Sequence, residues 1–383
     1  MNDFDFLSVK SLCVRRGGAR DLLRLVRQLG ARRPFIVTDA GLMKAGVLAP
    51  AMASLVAENA EYQVYQEVVA DPTEAVVYAA VSQAADFGAD CIIGFGGGSS
   101  MDVAKLVALL APTRRRLEEV YGVNVATGQR LPLILVPTTA GTGSEVTPIS
   151  IITTESDEKK GVVSPLLMPD IALLDAELTL GLPKPITAAT GIDAMVHAIE
   201  AYTSRLRKNM LSDGLARQAL SLLAGSIQTA CEDASNVQAR ENMLIGACLA
   251  GLAFANAPVA AVHALAYPLG AIFHIPHGLA NSLVLPPVLR FNLSHATTQY
   301  AEIHDVVRPG SQGSPADKAE GLIRYLAELP AVLGLPTRLG AFGITQQHLP
   351  ALAADAMKQQ RLLVNNPREM TEACALEIYE SVL

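Results

Sequence analysis

The chain has 383 residues, of which 50% are hydrophobic and 17% are charged, and its formal net charge is −7. This length suits two domains with large cores, and the mild acidity argues against a nucleic-acid-binding surface. The five cysteines are odd in number and scattered, which favours reduced thiols in a cytoplasm over a disulfide framework.

The first half of the chain alternates strand-like and helix-like segments, as in a mostly parallel sheet covered by helices. Apolar spacing predicts a helix from Gly18 to Leu29 and another from Pro72 to Phe87, with Asp71 as the candidate N-cap of the second. Buried strands are predicted at residues 35–38, 64–68, 91–95, 133–136 and 171–174. The pattern therefore predicts an α/β domain.

A glycine-rich turn follows the third of these strands and precedes a helix predicted at about residues 101–110. The turn is formed by Gly96, Gly97, Gly98 and Ser99. Glycines let backbone N–H groups approach a pyrophosphate, and the helix N-terminus adds its dipole. The turn is neither a P-loop nor a G-x-G-x-x-G motif, and a tight turn without a ligand has the same composition. The residues alone leave both interpretations open.

Two other features of this half could contact a nucleotide. Residues 137–147 form a loop with four threonines, a serine and two glycines, whose hydroxyls can hydrogen-bond ribose and phosphate oxygens, although a plain polar loop can have this composition. Asp39 ends the strand at 35–38, where a carboxylate can accept a hydrogen bond from the adenosine ribose 2′-hydroxyl and repel a 2′-phosphate. If a nicotinamide dinucleotide binds here, Asp39 predicts NAD rather than NADP.

The Pro-rich segment 182–185 predicts a hinge between domains at residues 1–182 and 183–383. Beyond it, helices are predicted at residues 187–202, 213–230, 237–255, 262–269, 316–329, 346–358 and 368–383. The uncharged stretch 244–262 is long enough for a membrane span, but its Ala and Gly content, Asn256 and Pro258 favour a buried helix of a soluble core. No membrane association is expected.

Asp193 and His197 are four residues apart and share one face of a predicted helix, so they can bind one divalent cation. Alone, this pair would more often be a surface hydrogen bond. His263 and His277 add two imidazoles in apolar, Ala-rich surroundings, where unpaired buried polar groups are costly. A shared ion explains the four residues better than separate structural roles do.

Three separated motifs, at residues 191–202, 263–270 and 276–281, resemble those of the iron-dependent (group III) alcohol dehydrogenases. That family includes lactaldehyde reductase and 1,3-propanediol dehydrogenase, and the resemblance runs over essentially the whole chain. It implies an α/β dinucleotide-binding domain similar to that of dehydroquinate synthase, followed by an all-helical metal-binding and substrate domain.

The resemblance also assigns residues. It implies that Asp193, His197, His263 and His277 hold the metal, and it points to Fe²⁺, although the ligand set alone also suits Zn²⁺, nickel or cobalt. It places the NAD pyrophosphate at the glycine turn, with further cofactor contacts at Thr138, Thr139, Thr142, Lys160, Leu178 and Thr179. Many members carry a proton-relay histidine where this chain has Tyr267, so His274 is the alternative relay.

We therefore expect a metal-dependent NAD(H) oxidoreductase that interconverts a short-chain primary alcohol or diol and its aldehyde. The alternative on the same fold is a hydroxyacid–oxoacid transhydrogenase or 4-hydroxybutyrate dehydrogenase, with a basic residue for the substrate carboxylate. A dehydroquinate-synthase-like lyase and a non-catalytic metal- or nucleotide-binding protein are more distant alternatives. Relatives form dimers or larger assemblies, so a cytoplasmic homodimer or larger homo-oligomer is expected.

Overall fold

The computed structural model describes residues 3–155 and 158–383. Backbone contacts divide these residues into two compact units. The sheet unit comprises residues 7–139 and 143–181, and the helical unit comprises residues 182–383 together with residues 3–6 and Ala140–Thr142.

The sheet unit is built on a six-stranded, fully parallel sheet and a smaller three-stranded sheet. The strands are β1 (Ser11–Val14), β2 (Pro34–Val37), β3 (Gln63–Tyr65), β4 (Cys91–Gly96), β5 (Gly122–Val123), β6 (Leu133–Pro137), β7 (Ile149–Thr153), β8 (Lys159–Val163) and β9 (Ile171–Leu174). The large sheet has the order β1-β9-β6-β4-β2-β3, and the small one has the order β5-β8-β7.

Helices cover both faces of the large sheet. They are α1 (Leu22–Gln28), α2 (Ala40–Lys44), α3 (Ala49–Ala57), α4 (Glu74–Phe87) and α5 (Gly98–Leu110). Successive residues of a strand point to opposite faces. In β2, Phe35 and Val37 join the core formed with α4 and α5, while Ile36 joins the core formed with α1 and α3. Burial on both faces explains why this strand is wholly apolar.

The predicted α/β class with a mostly parallel sheet is confirmed, but several local predictions were wrong. Thr73, not Asp71, is the N-cap of α4, and Asp71 has a φ of 54° that precludes this role. Helix α5 starts at Gly98, three residues before its predicted start. The sequence pattern missed β1 and the small sheet, since β5 has two residues and β8 contains two lysines.

The helical unit consists of helices and their connections throughout residues 182–383, so the all-α prediction is confirmed. Its helices are α6 (Lys184–Thr203), α7 (Met210–Glu232), α8 (Val237–Asn256), α9 (Ala261–Phe273), α10 (His277–Val307), α11 (Pro315–Leu333), α12 (Leu349–Ala356), α13 (Gln360–Leu363) and α14 (Glu372–Ser381). Among the described residues, no single helix is long and apolar enough to cross a membrane; α8 and α9 pass that test only as a pair bent by 107°.

Helix α10 was missed by the sequence analysis because Pro286 and Pro287 lie inside it. Proline removes an intrahelical hydrogen bond and normally ends or kinks a helix. The helix is in fact interrupted further along, at Ala296, where φ is −132° and two helical segments join across a kink.

Helix α6 lies at the centre of the helical unit and packs against α7, α8 and α10. Gly191 allows this close packing. A β-carbon at Gly191 would lie 2.6 Å from Met243 Cε on α8 and 2.9 Å from Ile227 Cδ1 on α7. The residues of α6 from Gly191 to Thr203 are all buried, which fixes the positions of its polar side chains.

Candidate metal and cofactor sites

Three helices of the helical unit bring the four predicted metal ligands together. Helix α6 supplies Asp193 and His197, α9 supplies His263, and α10 begins at His277. One potential ligand atom from each side chain lies within 4.8 Å of those from the other three. We call these residues the four-ligand cluster.

The four-ligand cluster is enclosed on most sides and open on one. Asp193, His197 and His263 are 2%, 4% and 2% exposed, whereas the His277 side chain is 42% exposed. His277 is therefore the member of the cluster whose side chain is most exposed to solvent.

The protonation states of Asp193 and His197 suit a divalent cation. Burial alone would raise the pKa of Asp193, but the three neighbouring histidines and Asn281 hold that pKa below its usual value. Burial lowers the pKa of His197 to about 3, against the opposing effect of the Asp193 carboxylate. Metals bind ionised carboxylates and neutral imidazoles. One carboxylate and three imidazoles are also a donor set that suits Fe²⁺ or Zn²⁺.

Two polar residues that the sequence analysis did not single out surround the four-ligand cluster. The Asn281 amide nitrogen lies 2.6 Å from Asp193 Oδ1, 3.3 Å from His263 Nε2 and 3.2 Å from His277 Nε2. Glu200 contacts the opposite ring nitrogen of His263. Sequence spacing is the feature that could have indicated these two residues, because Asn281 lies one helical turn after His277 and Glu200 lies one turn after His197.

Aromatic side chains pack against the histidines of the cluster. Phe254 stacks on His197 with ring centroids 4.4 Å apart, and the Tyr267 ring lies 5.9 Å from that of His277. His274 instead ends α9 as its C-cap, with a φ of 53° and an exposed side chain. Of the two predicted relay residues, Tyr267 therefore packs against a predicted ligand, and His274 lies at the exposed end of the helix.

In the sheet unit, the candidate cofactor residues follow three neighbouring parallel strands. Asp39 comes after β2, the glycine turn comes at the end of β4, and Thr138 and Thr139 come after β6. The Thr138 N–H donates to the Gly96 carbonyl over 3.0 Å, and a β-carbon on Gly97 would lie 3.6 Å from Thr139 Oγ1. Ligands of open α/β sheets bind at these carboxyl ends, where the strand order reverses.

Helix α5 begins in the glycine turn and presents its N-terminus there. Gly97 is the N-cap, with no side-chain cap hydrogen bond, and Gly98 and Ser99 are the first two helical residues. The first N–H groups of a helix have no intrahelical acceptor and favour anions. A side chain at Gly96 would also lie 2.7 Å from Ser100 Oγ, so only glycine fits this turn.

Asp39 has a structural contact in addition to its predicted role. Its Oδ1 accepts a hydrogen bond from the Leu42 N–H over 2.9 Å and so caps α2. A carboxylate is therefore held at the end of β2 by its own helix. A substitution here changes a helix cap as well as a charge.

The remaining predicted cofactor residues differ in their surroundings. Lys160 is exposed on β8, with its Nζ 5.6 Å from the centre of the Tyr121 ring. Leu178 and Thr179 are buried, and the Thr179 hydroxyl donates to the Ala176 carbonyl over 2.8 Å. Thr142 belongs by its contacts to the helical unit.

Lys105 on α5 is a buried cation that the sequence analysis did not identify. Its ammonium group donates to Ser144 Oγ over 2.7 Å and to the Ile149 carbonyl over 2.6 Å. Asp102 accepts from Ser144 Oγ over 2.6 Å. Burial lowers the pKa of Lys105, and Asp102 opposes this shift. These bonds tie the end of the threonine-rich loop to the helix that starts at the glycine turn.

Comparison with known proteins identifies the family. The model described as "Iron-containing alcohol dehydrogenase" matches residues 10–176, and "Fe-containing alcohol dehydrogenase family, C-terminal" matches residues 187–383. The chain belongs to the iron-containing alcohol dehydrogenase family. The predicted family is therefore confirmed, and the protein is an oxidoreductase.

Individual proteins match nearly the whole chain. Long-chain-alcohol dehydrogenase 1 from Geobacillus thermodenitrificans is 41% identical, over 95% of this chain and 93% of the relative. The structure of a 1,3-propanediol oxidoreductase superposes with a TM-score of 0.96 at 32% identity, covering 100% of both chains. Sulfoacetaldehyde reductase from Bifidobacterium kashiwanohense, solved with NAD⁺, has a TM-score of 0.89 at 27% identity, covering 100% of this chain and 99% of that one. These matches favour an alcohol dehydrogenase over a transhydrogenase.

Proposed function

We propose that this protein is a metal-dependent NAD(H) oxidoreductase that interconverts a short-chain primary alcohol or diol and its aldehyde. The observation that supports this most strongly is the four-ligand cluster, in which one carboxylate and three imidazoles meet within 4.8 Å. Asp193, His197, His263 and His277 would hold the metal. Iron is the expected metal because the family is iron-containing.

The two cofactors supply the chemistry that the side chains lack. When bound, the metal acts as a Lewis acid on the substrate oxygen and the nicotinamide accepts or donates hydride. The protein's own residues orient the substrate and control its proton. We assign the proton relay to Tyr267, which packs on His277, and keep His274 as the alternative.

We assign NAD binding to the sheet unit and propose residues 1–182 as the dinucleotide-binding domain and 183–383 as the metal-binding domain. The uncapped N-terminus of α5, formed by the glycine turn, suits the pyrophosphate. Asp39 would select NAD through the ribose 2′-hydroxyl. The other cofactor contacts are assigned to Thr138, Thr139, Thr142, Lys160, Leu178 and Thr179.

We further propose that the protein is cytoplasmic and forms a homodimer or larger homo-oligomer. All five cysteines are free thiols, as suits a reducing compartment. Light scattering coupled to size exclusion measures the mass directly: a multiple of the 40.4 kDa chain supports the assembly, and 40.4 kDa itself contradicts it.

A reconstitution assay tests the function. Metal-free protein is loaded with Fe²⁺ or Zn²⁺ and assayed for NADH formation with primary alcohols, diols and hydroxyacids. We expect turnover with alcohols or diols that is lost in Asp193→Asn and in the metal-free protein. NADH formation confined to hydroxyacids would favour the 4-hydroxybutyrate dehydrogenase alternative. Hydroxyacid oxidation that needs an added oxoacid and releases no NADH would favour the transhydrogenase, and no turnover with any substrate would contradict the proposal.

A further inference from the structure

Glu200 contacts the four-ligand cluster without belonging to it. It is 4% exposed, and both of its carboxylate oxygens are used. Oε2 lies 2.6 Å from His263 Nδ1, and Oε1 accepts from the Val262 N–H over 2.7 Å. One buried carboxylate thus holds both the backbone and the side chain at this end of α9.

The contact with Nδ1 decides which nitrogen of His263 carries hydrogen. A carboxylate only accepts hydrogen bonds, so Nδ1 must be the donor and Nε2 of a neutral ring keeps its lone pair. Nε2 is the nitrogen on the cluster side, 3.3 Å from Asn281 Nδ2 and 3.9 Å from Asp193 Oδ1. The glutamate therefore leaves the nitrogen that faces the cluster available to a cation.

Helix geometry explains how Glu200 reaches this position. Asp193, His197 and Glu200 are spaced by four and then three residues, so they share one face of α6. Helix α9 begins after Ala260, whose side chain cannot cap a helix. Glu200 supplies an acceptor for one of the free N–H groups of that helix start.

We propose that Glu200 is a positioning residue for the metal, which it serves by fixing the tautomer and ring orientation of His263. This inference rests on the proposed function, since it requires a cation at the four-ligand cluster. A purely structural glutamate would cap α9 without affecting metal binding. Metal-ligating histidines commonly donate their second ring nitrogen to such a carboxylate, and loss of that partner weakens binding by about 10- to 100-fold.

Glu200→Gln separates capping from control of the tautomer. Its amide oxygen can still accept from Val262 N–H, but its NH₂ group then faces Nδ1 and favours hydrogen on Nε2. Metal-free wild type, Glu200→Gln and Asp193→Asn are titrated with Zn²⁺ against a chromophoric chelator. Glu302→Gln is the matched control, because Glu302 contacts α6 through the Tyr202 hydroxyl.

We expect about 10- to 100-fold weaker Zn²⁺ binding in Glu200→Gln and wild-type affinity in Glu302→Gln. If Asp193→Asn weakens binding but Glu200→Gln does not, the role of Glu200 is overturned and the metal site stands. If Asp193→Asn binds Zn²⁺ as tightly as wild type does, both the metal site and the role of Glu200 are contradicted.

A second readout needs neither a variant nor a metal. ¹⁵N-histidine spectra of the metal-free wild-type protein report which ring nitrogen of His263 carries hydrogen. Hydrogen on Nδ1 supports the proposal, and hydrogen on Nε2 alone overturns it even if Glu200→Gln fails to fold.

Discussion

A β-carbon on Gly278 would overlap the carbonyl group of Ala189, lying 2.8 Å from its carbon atom, so α10 begins in direct backbone contact with α6. The same β-carbon would lie 3.2 Å from Asp193 Cβ. The neighbouring residue, His277, owes its position beside Asp193 to this contact. Glycine is thus required for the close approach of two helices that carry predicted metal ligands.

We expect Gly278→Ala to push α10 away from α6. Overpacking of this kind costs about 1–3 kcal/mol of unfolding free energy, and a misplacement of about 1 Å at a reacting centre lowers kcat/KM on the order of 100-fold. Unfolding in urea and steady-state kinetics measure the two effects. Gly225→Ala on α7 is the control, because its β-carbon would meet nothing within 4 Å and should stabilise the helix slightly. Wild-type kinetics in Gly278→Ala would show that the contact does not position His277.

The sequence analysis predicted that Asp193, His197, His263 and His277 lie together because histidines are rare in this chain and two of the residues share a helical face. It did not predict the contact between Asn281 and Asp193, because that contact depends on where α10 begins. Helix α10 was not predicted because Pro286 and Pro287 lie inside it. The long apolar strands of the parallel sheet were identified because both faces are buried. Short strands such as β5 were not, because two residues carry no periodicity.

Substitutions at Asp39 test cofactor choice. They can remove the negative charge of its side chain while keeping the hydrogen bond that caps α2. Asp39→Asn keeps an oxygen for the Leu42 N–H but removes the negative charge that would repel a 2′-phosphate. We expect the NAD-to-NADP ratio of kcat/KM to fall on the order of 10-fold or more, because like charges in contact cost several kcal/mol. Steady-state kinetics with both cofactors measure this ratio.

Glu67→Gln is the control for this measurement, because Glu67 is an exposed carboxylate that pairs with Asp39 through the backbone. It should leave the cofactor preference unchanged. Asp39→Ala removes the cap as well and should cost about 1 kcal/mol of stability in addition. An unaltered preference in Asp39→Asn would mean that another residue selects the cofactor.

Tyr267 and His274 give a prediction about the proton relay. Tyr267→Phe keeps the ring beside His277 and removes only the hydroxyl, so the metal affinity should not change. We expect kcat to fall by about 100-fold or more, as for loss of a general acid–base group, and His274→Gln to keep wild-type kcat. Chelator competition and stopped-flow kinetics measure the two quantities. If Tyr267→Phe keeps wild-type kcat and His274→Gln lowers it, His274 is the proton relay.

Asp170 gives a prediction about acid stability. Burial would raise the pKa of its carboxyl, but hydrogen bonds from Arg130 at 2.5 Å and Lys10 at 2.6 Å hold that pKa below its usual value. Because the folded-state pKa is depressed, the carboxylate stabilises the fold above the unfolded-state pKa of about 3.9. This stabilisation is lost as the pH falls through the folded-state value.

We therefore expect Arg130→Met to lose about 1–3 kcal/mol of unfolding free energy at pH 7, with the loss shrinking below pH of about 4. Urea unfolding across this pH range measures the difference. Arg24→Met is the control, since the Arg24–Asp21 pair is half exposed and should contribute at most about 1 kcal/mol. A loss that is independent of pH would mean that Arg130 acts through its hydrogen bonds to the Leu166 and Met168 carbonyls rather than through Asp170.

The central claim is that Asp193, His197, His263 and His277 bind one catalytic metal ion. Anomalous diffraction at the iron absorption edge, from crystals of Fe²⁺-loaded protein, tests it most directly. We predict a single strong peak within bonding distance of all four side chains that is absent from Asp193→Asn crystals. A peak elsewhere in the chain, or no peak in protein that oxidises alcohols, would contradict it.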